Sequence, residues 1–162
     1  MAIARLADMT TAQLPIQWHW QRFLELSVTE LYELLRLRSE VFVVEQNCVF
    51  QDMDGADDQA MHLLGKRNGK LLAYARCFGP GVKYKEASIG RVVTPPEVRG
   101  QALGHLCIDE AVQRLCREWG AQPIRIGAQA RLERFYQGHG FVSDGAVYVE
   151  DGIDHVEMLW KP

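Results

Sequence analysis

Long apolar runs are missing from this chain. No stretch approaches the roughly 18 consecutive apolar residues that a membrane-spanning helix needs, so no membrane partner is expected. An excess of basic residues is missing as well. A net charge of -3 and an isoelectric point near 5.9 give no global attraction to nucleic acid. Cysteine is scarce. Cys48, Cys77, Cys107 and Cys116 form no C-x-x-C pair, and three of them sit in apolar patterns. Reduced, mostly buried thiols and a cytoplasmic location are therefore expected. Residues 1–15 lack the basic-then-apolar order of a secretory leader. They read as an N-terminal extension, followed by one domain over residues 16–162. Nucleotide signatures are also absent. Neither G-x-x-x-x-G-K-S/T nor a G-x-G-x-x-G after the first strand occurs, which excludes a P-loop NTPase and argues against a Rossmann dinucleotide enzyme.

Metal-ligand spacing is missing too. His19, His62, His105, His139 and His155 share no H-x-x-x-H arrangement. The acidic stretch at Asp52, Asp54, Asp57 and Asp58 fails as a calcium loop: counted from Asp52, positions six and twelve hold Asp57 and Leu63 where Gly and Glu are needed. No metal is expected. The acidic stretch reads as a solvated turn or, alternatively, as a field that draws a cationic amine.

What is present is an ordered alternation of strand and helix patterns. Residues 16–23 place Ile16, Trp18 and Trp20 on one strand face. Ser27-Val28-Thr29-Glu30 is a capping box, followed at helical spacing by Leu31, Leu34, Leu35, Arg38 and Phe42. Strand patterns at 61–65 and 71–78 flank Asn68-Gly69, a type I′ hairpin pair. A strand at 88–94 leads into a long amphipathic helix at 101–119, stopped by Gly120 and Pro123. A strand from Ile124, a short helix at 131–139 and a closing hairpin at 146–149 and 155–160 complete the chain. The expected fold is α/β (α+β): one domain with a mixed, largely antiparallel twisted sheet flanked by helices.

The most informative stretch is Arg99-Gly100-Gln101-Ala102-Leu103-Gly104. It lies between a β-branched strand, the Pro95-Pro96 breaker and the long helix. Strand, small-residue loop and helix N-terminus aim free backbone N–H groups at an anion, where a helix carries roughly half a positive charge. Local physics therefore points to a phosphate or diphosphate without naming the ligand.

These residues resemble the R/Q-x-x-G-x-G/A signature of the GNAT superfamily of acetyl-CoA-dependent N-acetyltransferases, with Ala102 where Gly is usual. Arg134-Phe135-Tyr136-Gln137-Gly138-His139-Gly140-Phe141 is similar to the FYxxxGF element of that superfamily. The block at 37–48, Gln51-Asp52-Met53-Asp54-Gly55, Tyr74-Ala75-Arg76, Ile89-Gly90-Arg91-Val92 and Gly127-Ala128-Gln129-Ala130 resemble its ElaA-like branch. The resemblance implies acetyl-CoA as cosubstrate. Its pantetheine arm would lie in a gap beside the 88–94 strand, on backbone groups of Val92 and Val93. Its diphosphate would lie on the N–H groups of Gly100, Gln101, Ala102, Leu103 and Gly104, beside the charge of Arg99. Ala102 donates in that way only with a negative φ.

Acetyl transfer needs a proton acceptor for the amine, a donor to the carbonyl oxygen and an acid for the leaving thiolate. The resemblance makes Tyr136 the acid; the alternative is a packed Tyr136 whose hydroxyl is bonded elsewhere. Glu45 is the candidate base, partly buried with a raised pKa, or else a solvated carboxylate or an ion-pair partner of Arg38, Arg76 or Arg91. Gln46 and Gln129 are candidate hydrogen-bond donors to the acceptor. His155 either faces the acceptor or is a satisfied strand histidine. The function expected is acetyl transfer to a primary amine of a small molecule or peptide. An acyl-CoA-binding sensor without turnover is the alternative. An acyl-homoserine-lactone synthase shares the folding plan, but no extra apolar segment supplies an acyl-chain pocket. Oligomeric state, a homodimer included, is left open.

Overall fold

The structure, a computed structural model, describes residues 14–162. The extension read over residues 1–15 lies, up to residue 13, outside the described residues. The chain begins with β1 (Gln17–Arg22) and α1 (Val28–Arg38). Next come β2 (Met61–Arg67), β3 (Lys70–Phe78) and β4 (Ala87–Val93). Then follow α2 (Leu103–Trp119), β5 (Ile124–Gln129) and α3 (Glu133–Gln137). The chain closes with β6 (Val142–Ser143), β7 (Tyr148–Glu150) and β8 (Ile153–Trp160). All eight strands form one sheet in the order β1-β2-β3-β4-β5-β8-β6, with β7 also paired to β8. The β4–β5 pair is parallel and α2 is its crossover; the other pairs are antiparallel.

Local chemistry explains most boundaries. Ser27 accepts from the Glu30 amide at 3.1 Å while Glu30 accepts from the Ser27 amide at 2.9 Å, closing the expected capping box. Asn68 and Gly69 have φ of 52° and 75°, the pair of positive values that a type I′ turn requires. Gly120, at φ 83°, ends α2.

Alternation along the strands separates two cores. Leu63, Ala73 and Ala75 face α2, with Cys107, Ile108, Ala111 and Leu115. Their neighbours Leu64 and Tyr74 face α1, with Leu34 and Leu37. Side chains of period two thus place one helix on each face of the sheet.

Three features depart from expectation. The helical spacing through Phe42 is not one α-helix: α1 ends at Arg38, and Ser39–Glu45 is a π-helix. Its wider turn buries Val41 and leaves Val44 exposed. The long helix starts at Leu103, not Gln101, because Gly100 and Ala102 both have positive φ, 83° and 59°. The negative φ expected at Ala102 is therefore corrected: it occupies the left-handed region that glycine tolerates best. Finally, β6 is a short strand that the sequence did not mark.

Candidate active site

The site begins where two strands part. The parallel β4–β5 pairing covers only Ala87 with Ile124 and Ser88 with Arg125. From Ile89 onward the edge of β4 that faces β5 is unpaired. On its other edge β4 opposes Gly90 to Arg76 and Val93 to Tyr74, with a register shift between them. Arg91 lies in that bulge at φ 50°, and a bulge bends the strand and re-aims its backbone. The gap opens into a cleft of about 710 Å³. A second cavity of about 320 Å³ shares Thr94, Arg99, Gly104 and Phe135 with it, so the two adjoin.

Most candidate residues meet there. Val92, Val93, Glu45, Gln46, Gln129 and Tyr136 line the large cleft with Arg99 and Gly104. Gly100, Ala102 and Leu103 line the smaller cavity with Arg99 and Gly104. Gln101 lies on the same loop but lines neither. Among the described residues no side chain caps α2, and residues 100–102 donate none of the loop's backbone hydrogen bonds. The expected anion-binding donors are thus free at the mouth of the cleft.

Tyr136 is buried, and desolvation, with Cys107 adding to it, raises its pKa well above that of an ordinary phenol. It remains a protonated donor throughout neutral pH. Its ring packs edge-on against Phe135, with centroids 5.0 Å apart. Its ring thus packs as the alternative reading has it, while no hydrogen bond from its hydroxyl occurs among the described residues.

Glu45 is not partly buried, and its ion-pair partner is one the sequence did not suggest, although its exposure fits the solvated-carboxylate alternative. It is exposed, and it pairs with Arg99 through two bonds of 2.7 and 3.0 Å, not with Arg38, Arg76 or Arg91. A candidate base and the candidate phosphate-binding cation therefore hold each other across the cleft. Sequence reasoning missed this because the two are 54 residues apart.

The acidic stretch is corrected as well. Asp52 and Asp57 are buried, and the stretch is an anchor, not a solvated turn. Arg38 bonds Asp52 at 2.8 Å and Asp57 at 2.7 Å. Arg76 grips Asp54 in a fork of 2.8 and 2.7 Å and reaches Asp57 at 3.0 Å. Arg91, from the β4 bulge, bonds Asp52 at 2.7 Å. Guanidinium forks suit carboxylates in this way. The Arg76 hydrogen bond, the largest influence, holds the Asp54 pKa far below the usual carboxylate range. His62 completes the layer: Nε2 donates to the Asp57 carbonyl and Nδ1 accepts from Tyr74 Oη, both at 2.8 Å. Burial lowers its pKa.

The remaining groups divide plainly. All four cysteines are free thiols. Burial pushes Cys77 and Cys107 up, away from thiolate chemistry, and Cys48 Sγ donates to the Asp151 carbonyl at 3.3 Å. His155 satisfies both readings: it lines the cleft, while its Nδ1 bonds the Ile153 carbonyl at 2.7 Å. One cluster had no sequence signal. Asp109 accepts from His139 Nδ1 at 2.7 Å, and His139 Nε2 lies 2.9 Å from His105 Nδ1, beside the smaller cavity that His105 lines. Among the described residues no three His, Cys, Asp or Glu side chains are placed to hold a metal ion.

Comparisons with known proteins agree with this architecture. The family model described as an acetyltransferase (GNAT) domain matches residues 29–162. Protein ElaA of Escherichia coli is 42% identical over 145 residues, covering 88% of this chain and 95% of that protein. A UPF0039 protein of Synechocystis is 42% identical over 147 residues, covering 90% and 96%. Among solved structures, an acyl-CoA N-acyltransferase from Pseudomonas aeruginosa superposes with a TM-score of 0.85 at 42% identity, over 90% of this chain and 99% of that one. The crystal structure of E. coli ElaA gives a TM-score of 0.84 at 40% identity, over 90% and 99%. With its splayed sheet and its free helix N-terminus, the chain belongs to the GNAT acetyltransferase family.

Proposed function

We propose that the protein is an acetyl-CoA-dependent N-acetyltransferase that acts by direct attack of a primary amine, carried by a small molecule or peptide. When bound, acetyl-CoA supplies a thioester in the gap between β4 and β5. The unpaired edge of β4 at Val92 and Val93 holds the pantetheine arm, and a backbone N–H there steadies the developing carbonyl charge. The backbone N–H groups of the Gly100–Gly104 loop hold the diphosphate, Ala102 excepted because of its positive φ, and Arg99 turns from Glu45 to join them. Glu45, so released, takes the amine proton directly or through water. As the N–C bond forms and the C–S bond breaks, Tyr136 gives its proton to the departing thiolate. No covalent enzyme intermediate is part of this reading. The reduced cysteines support a cytoplasmic location.

The single observation that carries the proposal is the parting of β4 and β5 after two residue pairs, in line with an uncapped helix N-terminus. Its test is acetyl-CoA-dependent thiol release with a panel of amines. Gly100→Trp, at an exposed loop position of positive φ, should raise the acetyl-CoA Kd by about a hundredfold or more, roughly 3 kcal/mol. Unchanged affinity in that variant contradicts the placement. Coenzyme binding without release of thiol from any amine would favour the sensor reading.

A further inference from the structure

Four carboxylates at or behind the cleft are already engaged. Asp52, Asp54 and Asp57 are tied to three arginines, and Glu45 to Arg99. Hydrogen-bond donors remain. Arg131 Nε donates to Gln129 Oε1 at 2.9 Å, which commits the Gln129 amide nitrogen to donating; it reaches Gln46 Oε1 at 3.0 Å. This chain fixes both amides, because guanidinium only donates. It leaves the Gln46 NH2 group without a partner among the described residues, on a side chain that lines the cleft. Lys83 lines the same cleft and makes no ion pair among the described residues; its ammonium sits 5.7 Å from the centre of the Tyr84 ring. Desolvation of its ammonium in the cleft lowers the Lys83 pKa, with Arg76 and Arg91 adding to the effect and Glu150 and Asp54 opposing it. Glu150 and Asp151 also line the cleft and stand on its exposed rim.

Two cations and a free amide donor thus have no hydrogen-bonded oxyanion among the described residues, and of the two rim carboxylates Glu150 has only His155 Nε2, at 3.8 Å, within ion-pair distance. A polyamine would satisfy only the carboxylates. An amine that also bears a carboxylate satisfies both sets. We propose that the acceptor is a primary amine of amino-acid type, its carboxylate held by Lys83, Arg131 and the Gln46 amide, its ammonium first met by Glu150 and Asp151. This rests on the acetyl-transfer reading above. In the reaction the deprotonated amine attacks the acetyl carbon, the C–S bond breaks, and an N-acetyl amino acid leaves with the CoA thiol. The amine proton passes to Glu45, directly or through water, and Tyr136 supplies the proton of the CoA thiol.

The test is thiol release at fixed acetyl-CoA for free amino acids, each paired with its decarboxylated amine, and for spermidine. The carboxylated member of the best pair should be favoured by about tenfold or more in kcat/KM, the size of one charge-assisted contact. Lys83→Gln and Arg131→Gln, both at exposed positions, should raise KM for that amino acid by about tenfold, hold kcat within about threefold, and leave the decarboxylated partner unaffected. Preference for decarboxylated amines or spermidine overturns the inference, as does full discrimination in both variants. Acetyl-CoA binding with no thiol release from any amine overturns it too. Failure to bind acetyl-CoA instead overturns the coenzyme site itself, so the two readings fail separately.

Discussion

At the scale of single residues, two side chains carry opposite kinds of information. Tyr136 is a donor kept neutral by burial, with its hydroxyl unbonded among the described residues. Tyr136→Phe keeps the ring and its packing on Phe135 but removes the proton. The kcat for acetyl transfer should fall by about a hundredfold, the lower range for a general acid, with acetyl-CoA Kd within about twofold. A variant with full turnover would remove Tyr136 from the chemistry. Because burial raises the phenol pKa, loss of its proton should produce no alkaline fall in kcat up to about pH 10. Ala102 carries a backbone cost. A Cβ at φ 59° is strained relative to glycine, so Ala102→Gly should stabilise the fold by about 1 kcal/mol and raise Tm by about 2–4 °C. A lower Tm in a thermal melt would contradict the left-handed assignment.

At the scale of elements, local signals were legible and long-range ones were not. The Ser27 capping box, the Asn68-Gly69 turn and the amphipathic α2 are set by neighbours within a few residues, and each appears, α2 starting two residues later than read. The arginine–aspartate layer joins partners 14 to 39 residues apart, and charged residues in a glycine-containing stretch read as solvated until the fold brings their partners to them. The Arg91 bulge and the π-helix at Ser39–Glu45 depend on that layer and on sheet register, neither of which has a local signature. The same layer predicts a pH response. Buried His62 has a pKa below its unfolded value near 6.5, so below that pH the unfolded chain binds a proton that the native chain resists. Stability contributed by neutral His62 is complete above about pH 6.5 and is lost as pH falls, by up to about 1.4 kcal/mol per unit. Urea midpoints between pH 7 and 5 should therefore decline more steeply for the wild type than for His62→Gln. Parallel declines would contradict a buried, neutral His62.

At the scale of the whole molecule, the two halves of the cleft communicate through one ion pair. Arg99 belongs to the loop before α2, proposed to hold the coenzyme, and Glu45 to the π-helix across the cleft, and both are about two-fifths exposed. Exposed pairs of this kind contribute about 0.2–1 kcal/mol. Glu45→Gln should therefore release Arg99 and tighten acetyl-CoA binding by up to about fivefold, while kcat falls because the proton acceptor is gone. Weaker coenzyme binding, measured by calorimetry, would contradict this competition. The recognition loop and the Tyr136 element were legible from motifs; the competition between Glu45 and Arg99 was not, since only the folded sheet brings them together.

The account stands or falls on where the coenzyme lies. A crystal structure with acetyl-CoA tests this most directly. Density for the pantetheine arm should run between β4 and β5 along Val92 and Val93, with the diphosphate on backbone N–H groups of the Gly100–Gly104 loop and Arg99 turned from Glu45 toward it. Coenzyme found on any other surface, or a diphosphate that leaves those amides untouched, would contradict it.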